Sequence, residues 1–215
     1  MSTGARAEIV PSDSLAEDQP VSAAQNTSGT PLGAFTTSIP FKLPSFRGLE
    51  PKLGLVYQST TKNGFVGAGW SLSGISVIER ATPGGGAPKY DTTDTAFLDG
   101  QELVPCTTLG GTHCTKRQSF LRITQDTSLN KRYVWAKDGT KATYESTDLS
   151  NSNTFRWRLK TIADTRGNTV TYSYAADGVN EWYLNTVSYN GTTVTFYREA
   201  RSDVFTCDAP PCLRA

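Results

Sequence analysis

The chain has 215 residues, a formal net charge of +1 and 37% apolar residues. That balance gives no electrostatic footprint for nucleic acid or another polyanion. No stretch approaches the roughly 18–20 consecutive apolar residues of a membrane-spanning helix. Thr, Ser and Gly are abundant, as in a chain of strands and turns, and the length suits one large β domain or a domain with part of a neighbour.

Residues 1–30 are rich in Ser, Ala, Gln, Asp and Pro and have almost nothing to bury, so they are expected to form a disordered N-terminal extension. They contain no apolar run of about 7–15 residues, so no standard signal peptide is visible. A cytosolic protein, export by a signal-free route and a trimmed sequence all stay open.

From Pro31 the pattern becomes extended. Phe35, Thr37, Ile39 and Phe41 alternate with Thr36, Ser38 and Pro40, which predicts a first strand stopped by Pro40 and Pro44. Leu53, Leu55 and Tyr57 alternate with Gly54, Val56 and Gln58, which predicts a second. Thr60 to Gly64 reads as a turn ending in Asn63-Gly64. Beyond it, Gly64, Gly67, Gly69 and Gly74 space out Phe65, Trp70, Leu72, Ile75, Val77 and Ile78. Glycines among large apolar residues mark close backbone approach or sharp bends, so Gly67, Gly69, Trp70 and Gly74 are read as structural positions.

Ala81 to Tyr90 is a loop by every local signal. Its Gly84-Gly85-Gly86 is not followed by Gly-Lys-Ser/Thr and is no phosphate loop. Asp99-Gly100 reads as a hairpin turn between short strands, and Phe120 to Thr124 as a further strand.

An internal repeat follows. Asp138 to Tyr144, Arg166 to Tyr172 and Asn190 to Phe196 each run from a turn glycine through an alternating strand to an aromatic residue. Upstream, Trp157 to Ile162 matches Trp182 to Val187. Each unit is one β-hairpin, centred on Gly167 or on Asn190-Gly191 in the last two copies. A lone hairpin is marginal in water, so such units must stack edge to edge or close a sheet.

Catalytic sets are not found. The single histidine, His113, lies in a Gly/Thr/Cys loop, and no G-x-S-x-G or H-E-x-x-H pattern occurs. Asp99, Asp138 and Asp164 are read as turn caps, and no second carboxylate is marked as a glycosidase partner for Asp164. No cofactor and no metal are expected, because the cysteines fall as Cys106/Cys114 and Cys207/Cys212 without metal-ligand spacing. Two local disulfides and free thiols both stay open, and bridged pairs would argue for an extracellular working life. Trp70, Trp135, Trp157 and Trp182 would suit a sugar-binding face, but the repeat positions of Trp157 and Trp182 favour packing.

Residues 31–80 resemble the start of the SpvB-type N-terminal domain, shared by bacterial virulence proteins and the B component of insecticidal toxin complexes. The resemblance rests on Gly33-Ala34-Phe35, on Ile39-Pro40 with Pro44, on Arg47-Gly48 through Tyr57 and on Gly67 through Arg80. Phe97 to Val104 resembles a further segment of the family. From residue 131 the chain resembles the YD-repeat (Rhs) family at Leu159, Ile162, Asp164, Gly167-Asn168, Tyr172 and Tyr174, while Tyr189-Asn190 departs from it.

The expected architecture is all-β, with antiparallel hairpins and Gly-rich strands forming part of a β shell or a sandwich-like sheet assembly. The expected division is an extension over 1–30, an SpvB-type domain over 31–130 and incomplete YD/Rhs-like hairpins over 131–215. The resemblance implies a non-enzymatic module of a secreted toxin or virulence protein, cytoplasmic before export, that starts a shell for encapsulation or delivery. Its partners would be downstream shell repeats or other toxin-complex subunits, with self-association through exposed strand edges. An all-β carbohydrate or cell-surface binding module is the alternative.

Overall fold

The structure, a computed structural model, describes residues 33–61, 63–64, 66–146, 154–176 and 182–199. Every regular element among them is a strand. In chain order, β1 is Thr36–Pro40, β2 Gly54–Gln58, β3 Asn63–Gly64, β4 Gly67–Ala68 and β5 Trp70–Ser73. There follow β6 Val77–Ala81, β7 Thr95–Leu98, β8 Gln101–Pro105, β9 His113–Thr115 and β10 Arg122–Asp126. The last six are β11 Lys131–Trp135, β12 Lys141–Ser146, β13 Arg156–Ala163, β14 Thr169–Ala176, β15 Trp182–Tyr189 and β16 Thr192–Thr195.

From β6 to β13 each strand pairs antiparallel with the next, and β13 returns to β6. The closing register sets Arg156 opposite Glu79, Trp157 opposite Ile78 and Arg158 opposite Val77. The result is an eight-stranded antiparallel barrel without a free edge. A barrel of this size is narrow enough for its own side chains to fill it. Ile78, Leu98, Leu103, Ile123, Val134, Tyr144, Trp157 and Leu159 are buried, at alternate positions along their strands. Burying each such side chain contributes roughly 1.5–3 kcal/mol.

Along one edge β13 pairs with β12 from Trp157 to Ala163, skipping Lys160. Its other edge is divided: the first residues pair with β6, while Thr161, Ile162 and Ala163 pair with Thr171, Val170 and Thr169 of β14. A register shift along β12 and β13, with Thr143 opposite Thr161 but Tyr144 opposite Leu159, lies between the two halves. Such a bulge bends a strand and increases its twist, which lets one edge serve two sheets. β14, β15 and β16 then continue outward as an open antiparallel extension.

β1, β2 and β5 form a separate three-stranded sheet, in the order β1-β2-β5. The segment between β1 and β2 docks on the extension: the Phe46 ring lies 5.8 Å from that of Tyr189, whose hydroxyl donates to the Pro44 carbonyl at 2.9 Å. Phe46, Leu53 and Leu72 join the barrel residues and Tyr189 in one apolar core.

The all-β reading agrees with this architecture. The boundary read at residues 130/131 falls in the β10–β11 hairpin, whose strands pair over five positions from Arg122/Trp135 to Asp126/Lys131. Asn63-Gly64 differs from the expected turn. Both residues pair, Asn63 with Ala68 and Gly64 with Gly67, so they belong to a strand and not to the turn itself. The extension expected at 1–30, Cys207 and Cys212 lie outside the described residues.

Gly74 turns the chain from the small sheet into the barrel. Its φ is +80°, and a Cβ there would lie 2.3 Å from the Lys52 carbonyl oxygen. Gly84 has a similar φ of +86° but open space around it. Gly84→Ala should therefore cost only left-handed backbone strain, about 1–2 kcal/mol. Gly74→Ala should cost clearly more, because rigid backbone would have to move. Urea unfolding of the two variants checks this; equal midpoints would contradict it.

Candidate functional site: barrel mouth and sheet edge

The carboxylates marked in the sequence are engaged in turns. Asp99 and Gly100 form the two-residue loop between β7 and β8, with φ of 48° and 79°. The Asp99 carboxylate also reaches β6, accepting from the Val77 N–H at 2.9 Å and the Ser76 hydroxyl at 2.6 Å. The Ser76 hydroxyl in turn lies 2.8 Å from the Tyr144 hydroxyl, whose pKa burial pushes up to about 12. This end of the barrel is thus tied from β7 through β6 to β12.

Asp164 closes the β13–β14 loop. It accepts from the Asn168 side chain at 2.6 Å and from the backbone N–H groups of Arg166 at 2.8 Å and Asn168 at 2.9 Å. These bonds, the Asn168 side chain first, hold its carboxyl below the usual aspartate range. Gly167 supplies the positive φ of the same loop, and Asn190-Gly191 supplies both positive φ values between β15 and β16. Asp138 accepts from the Thr140 N–H at 2.9 Å. Among the described residues no three His, Cys, Asp or Glu side chains gather as a metal site.

His113 opens β9 beside a disulfide that joins Cys106 to Cys114, with Cα atoms 5.7 Å apart. The register sets His113 opposite Pro105 and Ile123, and its Nδ1 lies 2.9 Å from the Thr112 hydroxyl. Burial, and then the charge of Arg132, lower its pKa.

Arg132 was not singled out from the sequence. In β11 it alternates with Val134, so the strand carries both toward the barrel interior, where Arg132 is only 5% exposed. Its guanidinium carbon lies 4.3 Å from the Trp157 ring centre, and that of Arg80 lies 5.9 Å from the same ring. Trp157 donates from Nε1 to the Asn130 carbonyl at 3.1 Å and to Asn130 Oδ1 at 3.0 Å. Asn130 Nδ2 donates to the buried Thr154 hydroxyl at 2.9 Å. Arginines, tryptophan and histidine therefore surround the mouth of the barrel. The period-two parity of Val134 was the signal that would have found Arg132.

The other tryptophans divide between packing and the outer surface. Trp70 packs against Tyr57 with ring centres 5.3 Å apart and planes tilted by 58°, and Trp182 is half-buried. Trp135 and Tyr133 lie on the outer face of β11 with ring centres 5.8 Å apart. Arg122 stacks on Trp135 at 4.0 Å and Lys141 on Tyr133 at 4.2 Å, so cations already lie against these rings.

At the opposite extreme of the extension, β16 pairs with β15 alone among the described residues. Tyr189 is opposite Thr192 and Val187 opposite Val194, flanking a two-residue loop. In such a hairpin the pairs nearest the loop and every second pair after it exchange hydrogen bonds. The backbone groups of Thr193 and Thr195 therefore face away from β15, and both residues are exposed.

Comparison with known proteins places this architecture. Residues 29–126 match the family model described as Salmonella virulence plasmid 65kDa B protein. Over 82 residues the chain is 35% identical to the mono(ADP-ribosyl)transferase SpvB of Salmonella typhimurium, and equally to that of Salmonella dublin. The match takes in 37% of this chain and spans 13% of those relatives. The Photorhabdus luminescens Tc holotoxin pore superimposes with a TM-score of 0.65 at 23% identity, over 79% of this chain and 10% of that one. The N-terminal domain of effector protein SpvB from Salmonella typhimurium strain LT2 does so with 0.57 at 23% identity, over 74% and 65%. At these identities the solved structures show a shared fold, and the family model and the curated relatives mark an SpvB-type segment over part of the chain.

His113 makes stability pH-dependent in a separable window. Its folded pKa lies below the ordinary value of 6.5, so the unfolded chain binds more protons once the pH falls below 6.5. The contribution is complete above 6.5 and shrinks as the pH drops, while carboxylates titrate mainly nearer pH 4. Thermal melts should therefore show stability falling from pH 6.5 to about 5, and His113→Gln should flatten that fall. Parallel curves for the two proteins would contradict the assignment.

Proposed function

We propose that this chain, which carries an SpvB-type N-terminal domain over residues 29–126, is a non-enzymatic structural module of a secreted bacterial toxin or virulence protein. It starts a β-rich shell that encapsulates or delivers a cargo, and its partners are further shell strands or other toxin-complex subunits. The likeness of residues 131–215 to YD/Rhs hairpins, and a cytoplasmic stage before export, belong to the same proposal.

The observation that carries this reading is the asymmetry of the sheet. One part is closed and has no edge to offer; the other ends on β16 with outward-facing backbone groups. An incoming strand would satisfy those groups by sheet extension, the mode in which main-chain hydrogen bonds give affinity. The fold shared with the Tc holotoxin pore supports a toxin setting for such growth. A non-enzymatic role is supported by the carboxylates of Asp99, Asp138 and Asp164, each occupied by local hydrogen bonds. A carbohydrate-binding face would need free aromatic planes. Trp157 is buried and Trp135 lies under Arg122, so that alternative has no carrying observation.

Light scattering on the full chain over a range of concentrations tests the edge. The chain should self-associate as concentration rises. Thr193→Pro combined with Thr195→Pro removes two outward donors and leaves the β15 ladder intact, so this variant should remain monomeric with an unchanged circular dichroism spectrum. A wild-type chain that stays monomeric throughout, or association that the double variant does not reduce, would contradict the proposal.

A further inference from the structure

We propose that the mouth of the barrel is a binding site for a small oxyanion of the phosphate or sulfate class, held by the guanidinium of Arg132. The inference does not depend on the shell reading, because it rests on a different part of the molecule.

Arg132 Nε and Nη1 are both buried and have no hydrogen-bond partner. A guanidinium cannot shed its charge at physiological pH, so an unpaired one inside a barrel needs a counter-charge. The ring of Trp157 at 4.3 Å satisfies one face of the guanidinium but none of its N–H donors. Among the described residues, Glu145 pairs with Lys131 at 2.6 Å, Glu79 with Arg156, and Asp126 accepts from Ser128 and Leu129 in its own turn. Among the described residues, what surrounds Arg132 is positive or neutral. The register sets it between Gln125 and Tyr144, and the Arg80 guanidinium carbon lies 5.9 Å from the centre of the same Trp157 ring. Burial and then the Arg80 charge push its pKa down to about 10, and no carboxylate acts to raise it. His113 feels Arg132 as its charged neighbour, so positive potential extends across the mouth.

The other end of the barrel shows the contrast. There the Ser76 hydroxyl, the Tyr144 hydroxyl and the Asp99 carboxylate complete one another. An oxyanion offers several strong acceptors, and its bonds to arginine are charge-assisted.

Thermal melts of the full chain in inorganic phosphate, in sulfate and in chloride at matched ionic strength provide the test. A ligand that binds only the folded state raises the melting temperature along a saturating curve. Phosphate and sulfate should do so and chloride should not, and Arg132→Met should abolish the saturating rise. In oxyanion-free buffer Arg132→Met should melt no lower than the wild type, because a buried unpaired charge is replaced by an apolar chain of similar volume. Should that variant fail to fold, phosphate titration of the wild type followed at the Arg132 Nε–H resonance decides: a saturating shift supports the site. A resonance that does not move, a response equal for all three anions, or an unchanged response in Arg132→Met would overturn it.

Discussion

The rest of the structure depends on how β13 divides one backbone edge. Six of its eight residues pair with β12 along one side. Were the opposite side given wholly to β6, the barrel would close and nothing could grow from it. Were it given wholly to β14, β6 would be left unpaired, with the desolvation costs that buried backbone amides carry. The register shift near Tyr144 lets the strand do both in succession. Closure and extension are thus two consequences of one bulged strand.

That division needs a fixed core at the point where the strand changes partners. Trp157 supplies it, buried between Ile78 on β6 and the β12 side, with its indole N–H taken by Asn130. Leu159 continues the packing, and Tyr174 of β14 donates from its hydroxyl to the Leu159 carbonyl at 2.9 Å. The small sheet joins the same core through Leu53, Leu72 and Phe46, after the bend that Gly74 permits. A polar barrel mouth and an open edge therefore hang on one continuous apolar body.

The elements legible in the sequence are those whose physics is local. Asp99-Gly100 and Asn190-Gly191 declare two-residue turns because both central positions need positive φ, which Asp, Asn and Gly tolerate. The Asp164 loop is legible because its capping partners lie within four residues. Pairing between Ile78 and Trp157 is not legible this way, because nothing local in either segment specifies a partner so far along the chain. Asn63-Gly64 shows the limit of turn chemistry, since a glycine-rich segment can place its reversal at more than one step. Arg132 was passed over because an arginine reads as a surface residue, although strand parity with Val134 pointed inward.

Native-state hydrogen exchange, resolved by residue, tests most directly whether β13 unites the molecule. If closure through β13 holds, the slowest amides of β6, β8, β11 and β13 exchange together, with the free energy of global unfolding. The outward amides of Thr193 and Thr195 exchange near the unprotected rate in the monomer. If instead the strands before residue 130 open at one free energy and those after it at another, the seam between β6 and β13 does not bind the two halves, and the account fails.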